Sequence, residues 1–362
     1  MQAIIEQFRE RIRAAVADNS ALRIRGGGSK DWYGQHLRGE PFDTHAYHGI
    51  IDYEPTELVV TARCGTPLAE VEAALAQRGQ MLAFEPPRFG AAIGAGSTIG
   101  GVVASALSGP RRASAGAVRD FVLGAVLMDG QGEIKRFGGQ VMKNVAGYDV
   151  SRMLAGSLGT LGLITEVSLK VLPLPLREAS LRFEMDEIAA LKQLNLWAGQ
   201  PLPISASCWR GGVLSLRLSG ADAAVRAALH KLGGAQFDGA AYWNGLRDQT
   251  DDFFSAGDLW RLSLPPAASA VILKGEQMIE WGGAQRWLKV KAGGWANDGD
   301  GAATAVDIRR SVGAAGGHAT LYRGGDKSAG VFHPLPPALM KIHERMKLAF
   351  DPAGIFNPGR MY

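Results

Sequence analysis

Two glycine-rich segments carry the residue types that could bind a phosphate. The first is Arg25-Gly26-Gly27-Gly28-Ser29-Lys30, and the second, GAGSTIGG, covers residues 94–101. Backbone N–H groups left bare by glycine, with hydroxyls and a cation beside them, form concave nests that suit an anion. Each segment alone could make only a tight turn, but two such segments beside Arg25 and Lys30 favour a pyrophosphate site.

The better-known nucleotide, metal and nucleophile motifs are incomplete. A dinucleotide fingerprint would need glycine at Ile99, and the chain has no Gly-Lys dipeptide for a Walker loop. The HERMK segment has Lys347 where a zinc protease motif has its second histidine, and Ser157 in AGSLG lacks evident acid and histidine partners. Cys64 and Cys208 cannot supply the four thiolates of an iron–sulfur cluster. We therefore predict no protein-ligated metal.

Composition and charge narrow the class of protein. The 39 Lys and Arg residues exceed the 35 Asp and Glu residues by only four, without a block of like charges, so no nucleic-acid partner is expected. Hydrophobic residues at 46% and charged residues at 20% are typical of a globular chain. No apolar leader and no run of 18 apolar residues is present, so we expect a cytoplasmic protein without a transmembrane segment.

The spacing of apolar residues and the positions of turn-forming residues predict the helices and strands that would hold these loops. A strand over 21–24 should run straight into the first glycine-rich loop. A strand over 58–62 should precede a helix that begins with Thr66 as its N-cap hydroxyl and ends at Gly79. The other predicted elements are an amphipathic helix over 4–16, buried strands over 121–128 and 163–172, and a turn at 129–132.

The proline-rich stretch Leu172-Pro173-Leu174-Pro175 predicts a domain boundary. After it, strands and helices alternate to about residue 330, and a helix from Leu339 leads into a tail rich in proline and glycine. We expect an α+β protein with a first domain over 1–175, a second α/β domain over 176–335, and a C-terminal helix and tail over 336–362 that pack on the first domain.

Five segments, in this order, resemble the FAD-binding domain of the vanillyl-alcohol oxidase or PCMH-type flavoprotein superfamily. They are RGGGSK (25–30), EPPRFGAAIGAGSTIGG (85–101), SGPRRASAGAVRDFVLGAVLMDGQGE (108–133), KNVAGYDVSRMLAGSLGTLGLITEVSLKVLP (143–173) and FDPAGIFNPGR (350–360). The resemblance implies a two-subdomain PCMH-type FAD domain at 1–175 and a cap domain, a vestigial substrate domain, at 176–335.

The resemblance also implies which residues bind FAD. The expected set is Arg25, Gly26, Gly27, Gly28, Ser29, Lys30, Glu85, Pro86, Gly96, Ser97, Thr98, Gly100, Gly101, Ser105, Gly162, Leu163, Ile164 and Asn357. FAD rather than FMN is expected because two phosphate loops suit a pyrophosphate bridge. Relatives with covalent flavin often have a histidine where this chain has Ser29, so the FAD should be held non-covalently.

The chain departs from the catalytic 2-hydroxy-acid dehydrogenases of the superfamily. Their HxGDGNxH and EHGxG motifs, which bind a divalent metal, are missing, and the nearest segment, Asn297 to Gly301, has no histidine. Val102 stands where many relatives have asparagine, and Leu158 where the catalytic paralogue has an acidic residue. The likeness is instead to the FAD-binding subunits of bacterial glycolate oxidases.

These subunits work beside a catalytic flavoprotein subunit and an iron–sulfur subunit, so the resemblance implies the same partners here. The expected role is to support oxidation of glycolate or D-lactate to the 2-oxo acid, in the cytoplasm or at the inner face of the cell membrane through those partners. Two alternatives remain. One is a stand-alone FAD-dependent 2-hydroxy-acid oxidoreductase with Lys143, Tyr148 or His318 as base, and the other is a flavin-free structural subunit.

Overall fold

A computed structural model describes residues 1–90, 96–139, 149–291 and 304–361. The chain forms two compact units. Unit 1 comprises Met1–Ser108, Gly116–Leu174 and Leu335–Tyr362, and unit 2 comprises Gly109–Ala115 and Pro175–Pro334. The described residues contain no helix that is both long and apolar enough to cross a bilayer. The expected roles of the domains stay predictions.

Unit 1 combines a central antiparallel sheet with smaller sheets and helices. Its helices are α1 (Gln2–Ala17), α2 (Leu68–Ala76), α3 (Ile99–Ser105), α5 (Val118–Phe121), α6 (Val150–Met153) and α11 (Pro337–Phe350). Its strands are β1 (Leu22–Arg25), β2 (Glu40–Asp43), β3 (Ile50–Glu54), β4 (Val59–Arg63), β5 (Gln80–Met81), β6 (Val122–Met128), β7 (Ile134–Gly138), β8 (Leu163–Lys170) and β9 (Leu172–Pro173). Within the described chain, the central sheet has the order β3-β4-β8-β6-β7, while β1 pairs in parallel with β2.

The two ends of the chain share one core in unit 1. Phe8 and Ile12 of α1 pack with Leu22, Phe42 and the C-terminal Phe356, all of them buried. The tail also extends the pairing of β1, because the backbone N–H of Leu22 donates to the carbonyl of residue 355 at 2.7 Å. Residues near both termini are therefore fixed beside the start of the first glycine-rich loop.

Asp351 anchors the turn between α11 and the tail. Its carboxylate is 1% exposed and accepts hydrogen bonds from the backbone N–H groups of Ile355 (3.1 Å) and Phe356 (2.8 Å). Lys347 completes the cluster with an ion pair to the same carboxylate and a 2.8 Å bond to the Phe356 carbonyl. The buried charge is thus paired and hydrogen-bonded, as burial of a carboxylate requires.

The predicted start of α2 was wrong in detail. The N-cap residue is Pro67, which makes no side-chain capping hydrogen bond, and α2 ends at Ala76 rather than at Gly79. The Thr66 hydroxyl instead donates to the Arg63 carbonyl at 2.7 Å and accepts from the Gly49 N–H at 2.9 Å. A tertiary contact to the preceding loop therefore replaces the local cap that the sequence suggested.

Unit 2 is built on one large antiparallel sheet. Its strands are β10 (Arg177–Glu184), β11 (Ile204–Arg210), β12 (Val213–Gly220), β13 (Ala235–Phe237), β14 (Asp258–Ser263), β15 (Glu276–Glu280), β16 (Gln285–Val290) and β17 (His318–Arg323). Its helices are α4 (Arg112–Ala115), α7 (Glu187–Ala198), α8 (Asp222–Leu232), α9 (Ala240–Asp248) and α10 (Ala305–Ala314). Within the described residues, the strand order is β13-β10-β12-β11-β15-β16-β14-β17.

Alternation along the strands gives that sheet two different faces. In β12, Leu214, Leu216 and Leu218 are fully buried against α7 and α8. The intervening residues of the strand, Ser215 and Arg217, are buried but polar. Since neighbouring residues of a strand point to opposite faces, the second face of the sheet is polar at this point.

Candidate flavin site

The first glycine-rich loop follows directly from β1. The N–H of Asp31 donates to the carbonyl of Gly28 at 3.1 Å, and Gly28 has φ +66°, so the loop closes as a tight turn. In the part of the chain that the structure describes, the backbone N–H groups of residues 26–29 have no hydrogen-bond acceptor. A run of free donors of this kind is suited to an anion.

Glycine at position 26 is required by the neighbouring loop. A Cβ atom at Gly26 would lie 2.2 Å from Oγ1 of Thr98, far inside van der Waals contact. Thr98 is the N-cap of α3, and its hydroxyl accepts from the N–H of Gly101 at 3.4 Å. The two glycine-rich segments are therefore in direct contact, with the first seated on the start of α3.

The second segment does not expose its backbone donors as predicted. The N–H of Ile99 donates to the Thr66 carbonyl and that of Gly100 to the Cys64 carbonyl, both at 2.9 Å. The prediction of bare N–H groups was wrong at these two positions because the first turn of α3 packs on the end of β4. Gly100 serves that packing, since a Cβ there would lie 2.7 Å from Cβ of Cys64.

Side chains join the two segments at one point. Nζ of Lys30 donates to Oγ of Ser97 at 2.9 Å and to Oγ of Ser29 at 3.3 Å, and the two hydroxyl oxygens are 3.2 Å apart. The same ammonium lies 5.8 Å from the ring centroid of Phe89. Burial lowers the pKa of Lys30 from 10.5 to about 8. Its hydrogen-bond partners are neutral, so an added anion would stabilise the charged form.

Two clefts in unit 1 meet at these loops. The first, of about 540 Å³ including its mouth, is lined by predicted site residues Arg25, Gly26, Gly27, Gly28, Ser29, Lys30, Thr98, Gly101, Ser105 and Asn357. The second, of about 410 Å³, is lined by predicted site residues Gly26, Gly100, Gly101, Gly162, Leu163, Ile164 and Asn357. Ile24, Ala104 and Leu158 also belong to both walls, so the clefts are adjacent.

Asn357 ties the C-terminal tail to the walls of both clefts. Its side-chain amide donates to the Leu158 carbonyl at 2.6 Å, and its Oδ1 accepts from the backbone N–H of Ile24 at 2.8 Å. The residue has φ +42°, a conformation that asparagine tolerates better than most residues. Asn357 therefore holds the end of β1 against the segment around Leu158.

Arg360 holds the backbone of the first glycine-rich loop in place, a role that the sequence pattern did not predict. Its guanidinium donates to the carbonyls of Gln35 (2.8 Å), Asp31 (3.0 Å) and Lys30 (3.2 Å). Arg360 is buried and lines the first cleft, and its burial lowers its pKa. The bond to Lys30 spans 330 residues of chain, so no local pattern could have revealed it.

Other predicted binding residues do not line these clefts. Glu85, Pro86 and Gly96 are absent from both walls, although Ser97 reaches the site through Lys30. Glu85 has φ +50° and closes a turn in which its N–H donates to the Leu82 carbonyl at 3.0 Å. The second glycine-rich segment begins at Gly94, and residues 91–95 lie outside the described part of the chain.

Of the three side chains considered as catalytic bases, His318 alone lies among the described residues. Lys143 and Tyr148 lie outside the described residues. His318 is in β17 of unit 2, and its pKa is lowered by burial and by the nearby charge of Arg261. Across residues 1–90, 96–139, 149–291 and 304–361, no group of three or more His, Cys, Asp and Glu side chains is placed to hold a metal ion.

Comparison with known sequences identifies relatives along the whole chain. Residues 3–138 match the family model described as FAD binding domain. Glycolate oxidase subunit GlcE of Escherichia coli strain K12 is 47% identical over 364 residues, which cover 100% of this chain and 97% of that protein. Glycolate oxidase subunit GlcD of Bacillus subtilis is 33% identical over 144 residues, or 40% of this chain and 30% of that protein.

A D-lactate dehydrogenase from Anaerostipes hadrus is 34% identical over 126 residues, covering 35% of this chain and 25% of that protein. Among solved structures, alkyldihydroxyacetonephosphate synthase has a TM-score of 0.64 at 14% identity, over 98% of this chain and 74% of that one. The structural likeness concerns the fold alone. With the domain match it confirms the expected α+β, PCMH-type architecture.

Proposed function

The chain belongs to the family of the glycolate oxidase subunit GlcE, and from this premise we propose that it is the FAD-carrying subunit of a multi-subunit complex that oxidises glycolate or D-lactate to the 2-oxo acid. The family resemblance read from the five sequence segments is confirmed by this membership. FAD is the cofactor of the family, and unit 1 is where this chain would hold it.

The run of free backbone donors at residues 26–29 is the observation that carries the cofactor assignment. These N–H groups open on a cleft with Arg25, Lys30 and Arg360 in its wall. Three cations against the single carboxylate of Asp31, which lies 3.4 Å from Nε of Arg25, leave a net positive site. Such a site suits a pyrophosphate, because donors and cations both stabilise its charge.

The second cleft, adjacent to the first, supports FAD rather than a lone phosphate. Its wall includes the apolar side chains of Ile24, Leu163 and Ile164 and the glycines at 100 and 162. Apolar walls with few polar groups are typical of sites for flat organic rings. When bound, FAD would supply redox chemistry, as a carrier of electrons that a partner subunit takes from the 2-hydroxy acid. The chain itself would bind and orient the cofactor and exclude water from it.

We infer that another subunit performs the oxidation of substrate. The sequence lacks the HxGDGNxH and EHGxG motifs with which related dehydrogenases polarise a 2-hydroxy acid through a metal. A catalytic flavoprotein subunit and an iron–sulfur subunit are the proposed partners, and the complex is proposed to lie in the cytoplasm or at the inner face of the cell membrane. With two cysteines, this chain would pass electrons to a protein that carries the cluster.

Reconstitution tests this division of labour. Purified full-length chain loaded with FAD would be mixed with glycolate and a dye acceptor, alone and together with the two partner subunits. We expect dye reduction only in the full mixture, and a matched mixture that omits this chain should lose most of the activity. Turnover by the isolated chain at the rate of the full mixture would contradict the subunit assignment and favour a stand-alone oxidoreductase.

A further inference from the structure

Two arginines of unit 1 carry charge that no other group in the described chain neutralises. Arg23 is the second residue of β1 and is partly buried, and Arg38 lies in the loop before β2 and is exposed. Within the described ranges, neither side chain has a hydrogen-bond acceptor or an ion-pair partner. Neither lines the two flavin clefts. We refer to Arg23 and Arg38 as the arginine surface.

The guanidinium of Arg23 is held close to a second guanidinium. Its Nε is buried without an acceptor in the described part of the chain. Burial lowers the pKa of the neighbouring Arg360, Asp31 opposes that shift, and the charge of Arg23 adds to it. The two cations therefore repel each other, and the unpaired buried donor adds a further cost. An anion bound at the accessible end of Arg23 would offset the repulsion.

Arg38 lies against the same C-terminal segment. A Cβ at Gly359 would be 3.7 Å from Nη1 of Arg38 and 3.9 Å from its Nε, so the guanidinium rests on backbone one residue before Arg360. Arg360 is itself fixed, because its guanidinium donates to the carbonyls of three residues in the 30–35 segment. A fixed backbone keeps the neighbouring charges in place, which lowers the entropic cost of binding a partner.

Nearby carboxylates in the sequence are turned toward other cations. Asp31 lies 3.4 Å from Nε of Arg25, and Glu40 lies 4.0 Å from Nη2 of Arg11. The arginine surface therefore keeps its two positive charges, and the buried Arg360 adds to the positive potential beside it.

A protein partner fits this surface better than a lipid bilayer does. Among the described residues, none of the exposed large apolar side chains belongs to 22–43 or 351–361, so this part of the chain has no large apolar group to insert into lipid. The planar donors of arginine match the two oxygens of a carboxylate, and arginine is enriched at protein interfaces. Acidic side chains on a protein are therefore the matching chemistry.

We propose that the arginine surface docks a partner subunit through acidic side chains of that subunit. The partner's carboxylates bind the guanidinium groups of Arg23 and Arg38. The contact would lie beside the C-terminal segment that supports the first glycine-rich loop. This inference rests on the proposed function, because it requires that the chain work within a multi-subunit complex.

Binding of the full-length, FAD-loaded chain to the two partner subunits tests the proposal. Arg23→Gln combined with Arg38→Gln should weaken assembly about tenfold or more at low salt, because two charge pairs are lost. The matched control, Arg13→Gln combined with Arg345→Gln, removes two exposed arginines of unit 1 and should assemble like the parent. At about 1 M salt, where the Debye length is about 3 Å, the Arg23 and Arg38 double variant should differ little from the parent.

The thermal midpoint of the isolated chain separates docking from folding. It should not fall in the Arg23 and Arg38 double variant, because removal of a repelled cation leaves no partner unpaired. A fall of several degrees would assign Arg23 a structural role and overturn the proposal.

The remaining outcomes distinguish this inference from the proposed function. If the parent assembles with the partner subunits and the double variant assembles equally well at low salt, the docking surface is wrong and the proposed function stands. Unchanged assembly with loss of binding to phosphatidylglycerol vesicles would make this a membrane surface, which also overturns the proposal. A parent chain that forms no complex would contradict both.

Discussion

Lys30 makes the proposed flavin site sensitive to pH. Burial lowers its pKa to about 8, and a nearby phosphate favours the charged ammonium over the neutral amine. We therefore expect the affinity for FAD to be highest below that pKa and to fall as the pH rises through about 8. Fluorescence titration of the FAD-free chain across this range measures the effect.

The charge-removing variant identifies the group responsible. Lys30→Gln should bind FAD about tenfold more weakly at neutral pH, with no further loss as the pH rises, because its charge is already absent. Lys135→Gln removes an exposed lysine from unit 1 and should keep the parent profile. A pH profile that is the same in Lys30→Gln and in the parent would remove Lys30 from the site.

Gly26 permits the contact between the two glycine-rich segments. In Gly26→Ala the new Cβ would meet Oγ1 of Thr98 at 2.2 Å, so one segment must shift. Overpacking of this kind costs about 1–3 kcal/mol, which corresponds to about a five- to 150-fold loss of FAD affinity if the loop moves. Equilibrium titration with FAD, with circular dichroism to check folding, measures the loss.

A second substitution separates steric crowding from general damage. Thr98→Ala removes Oγ1, so the double variant Gly26→Ala with Thr98→Ala should recover most of the lost affinity. Gly139→Ala is the control, since a Cβ there has no atom within 4 Å. The steric argument fails if the double variant binds no better than Gly26→Ala alone.

At the level of elements, the C-terminal tail shapes the first loop. Arg360→Ala would remove three hydrogen bonds to carbonyls of residues 30, 31 and 35. We expect a loss of stability of about 1–3 kcal/mol and a roughly tenfold weaker affinity for FAD, because the loop loses its support. Arg345→Ala, in the exposed face of α11, should change neither quantity. An unchanged FAD affinity in Arg360→Ala would show that the loop holds its shape without the tail.

The local sequence pattern was sufficient to predict several strands and the glycine-rich loop that follows β1. The strand before Gly26 appears at Leu22–Arg25, and the buried strands appear at Val122–Met128 and Leu163–Lys170, close to their predicted bounds. Strand periodicity and glycine turns are encoded by neighbouring residues, so sequence alone reveals them. The same local patterns predicted the mixed α+β class, which is confirmed.

Contacts between distant residues explain what the sequence did not reveal. Thr66 binds the loop at Gly49 instead of capping α2, and the N–H groups of Ile99 and Gly100 donate to the loop that follows β4 rather than to solvent. Arg360 reaches the first loop across more than 300 residues of chain. Each of these outcomes depends on tertiary packing, which overrides local preference.

At the level of the molecule, each of the two units contains one cysteine, so the rate of thiol alkylation can be measured for each unit separately. Cys64 lines the second flavin cleft of unit 1, and Cys208 is buried in unit 2. Burial raises the pKa of both thiols, that of Cys64 to about 12, so neither reacts readily in the folded chain. We expect FAD to slow alkylation of Cys64 more than that of Cys208, as measured by peptide mass spectrometry. Equal protection of both thiols would contradict a flavin beside Cys64.

The content of flavin in the purified chain tests the central claim most directly. Denaturing the full-length protein and separating the released chromophore gives both the identity of the flavin and its ratio to chain. We predict about one FAD per chain, released without cleavage of a covalent bond, since the first loop offers one pyrophosphate site. FMN in place of FAD, flavin that stays attached to the denatured chain, or a chain that takes up no flavin from added FAD would contradict the account.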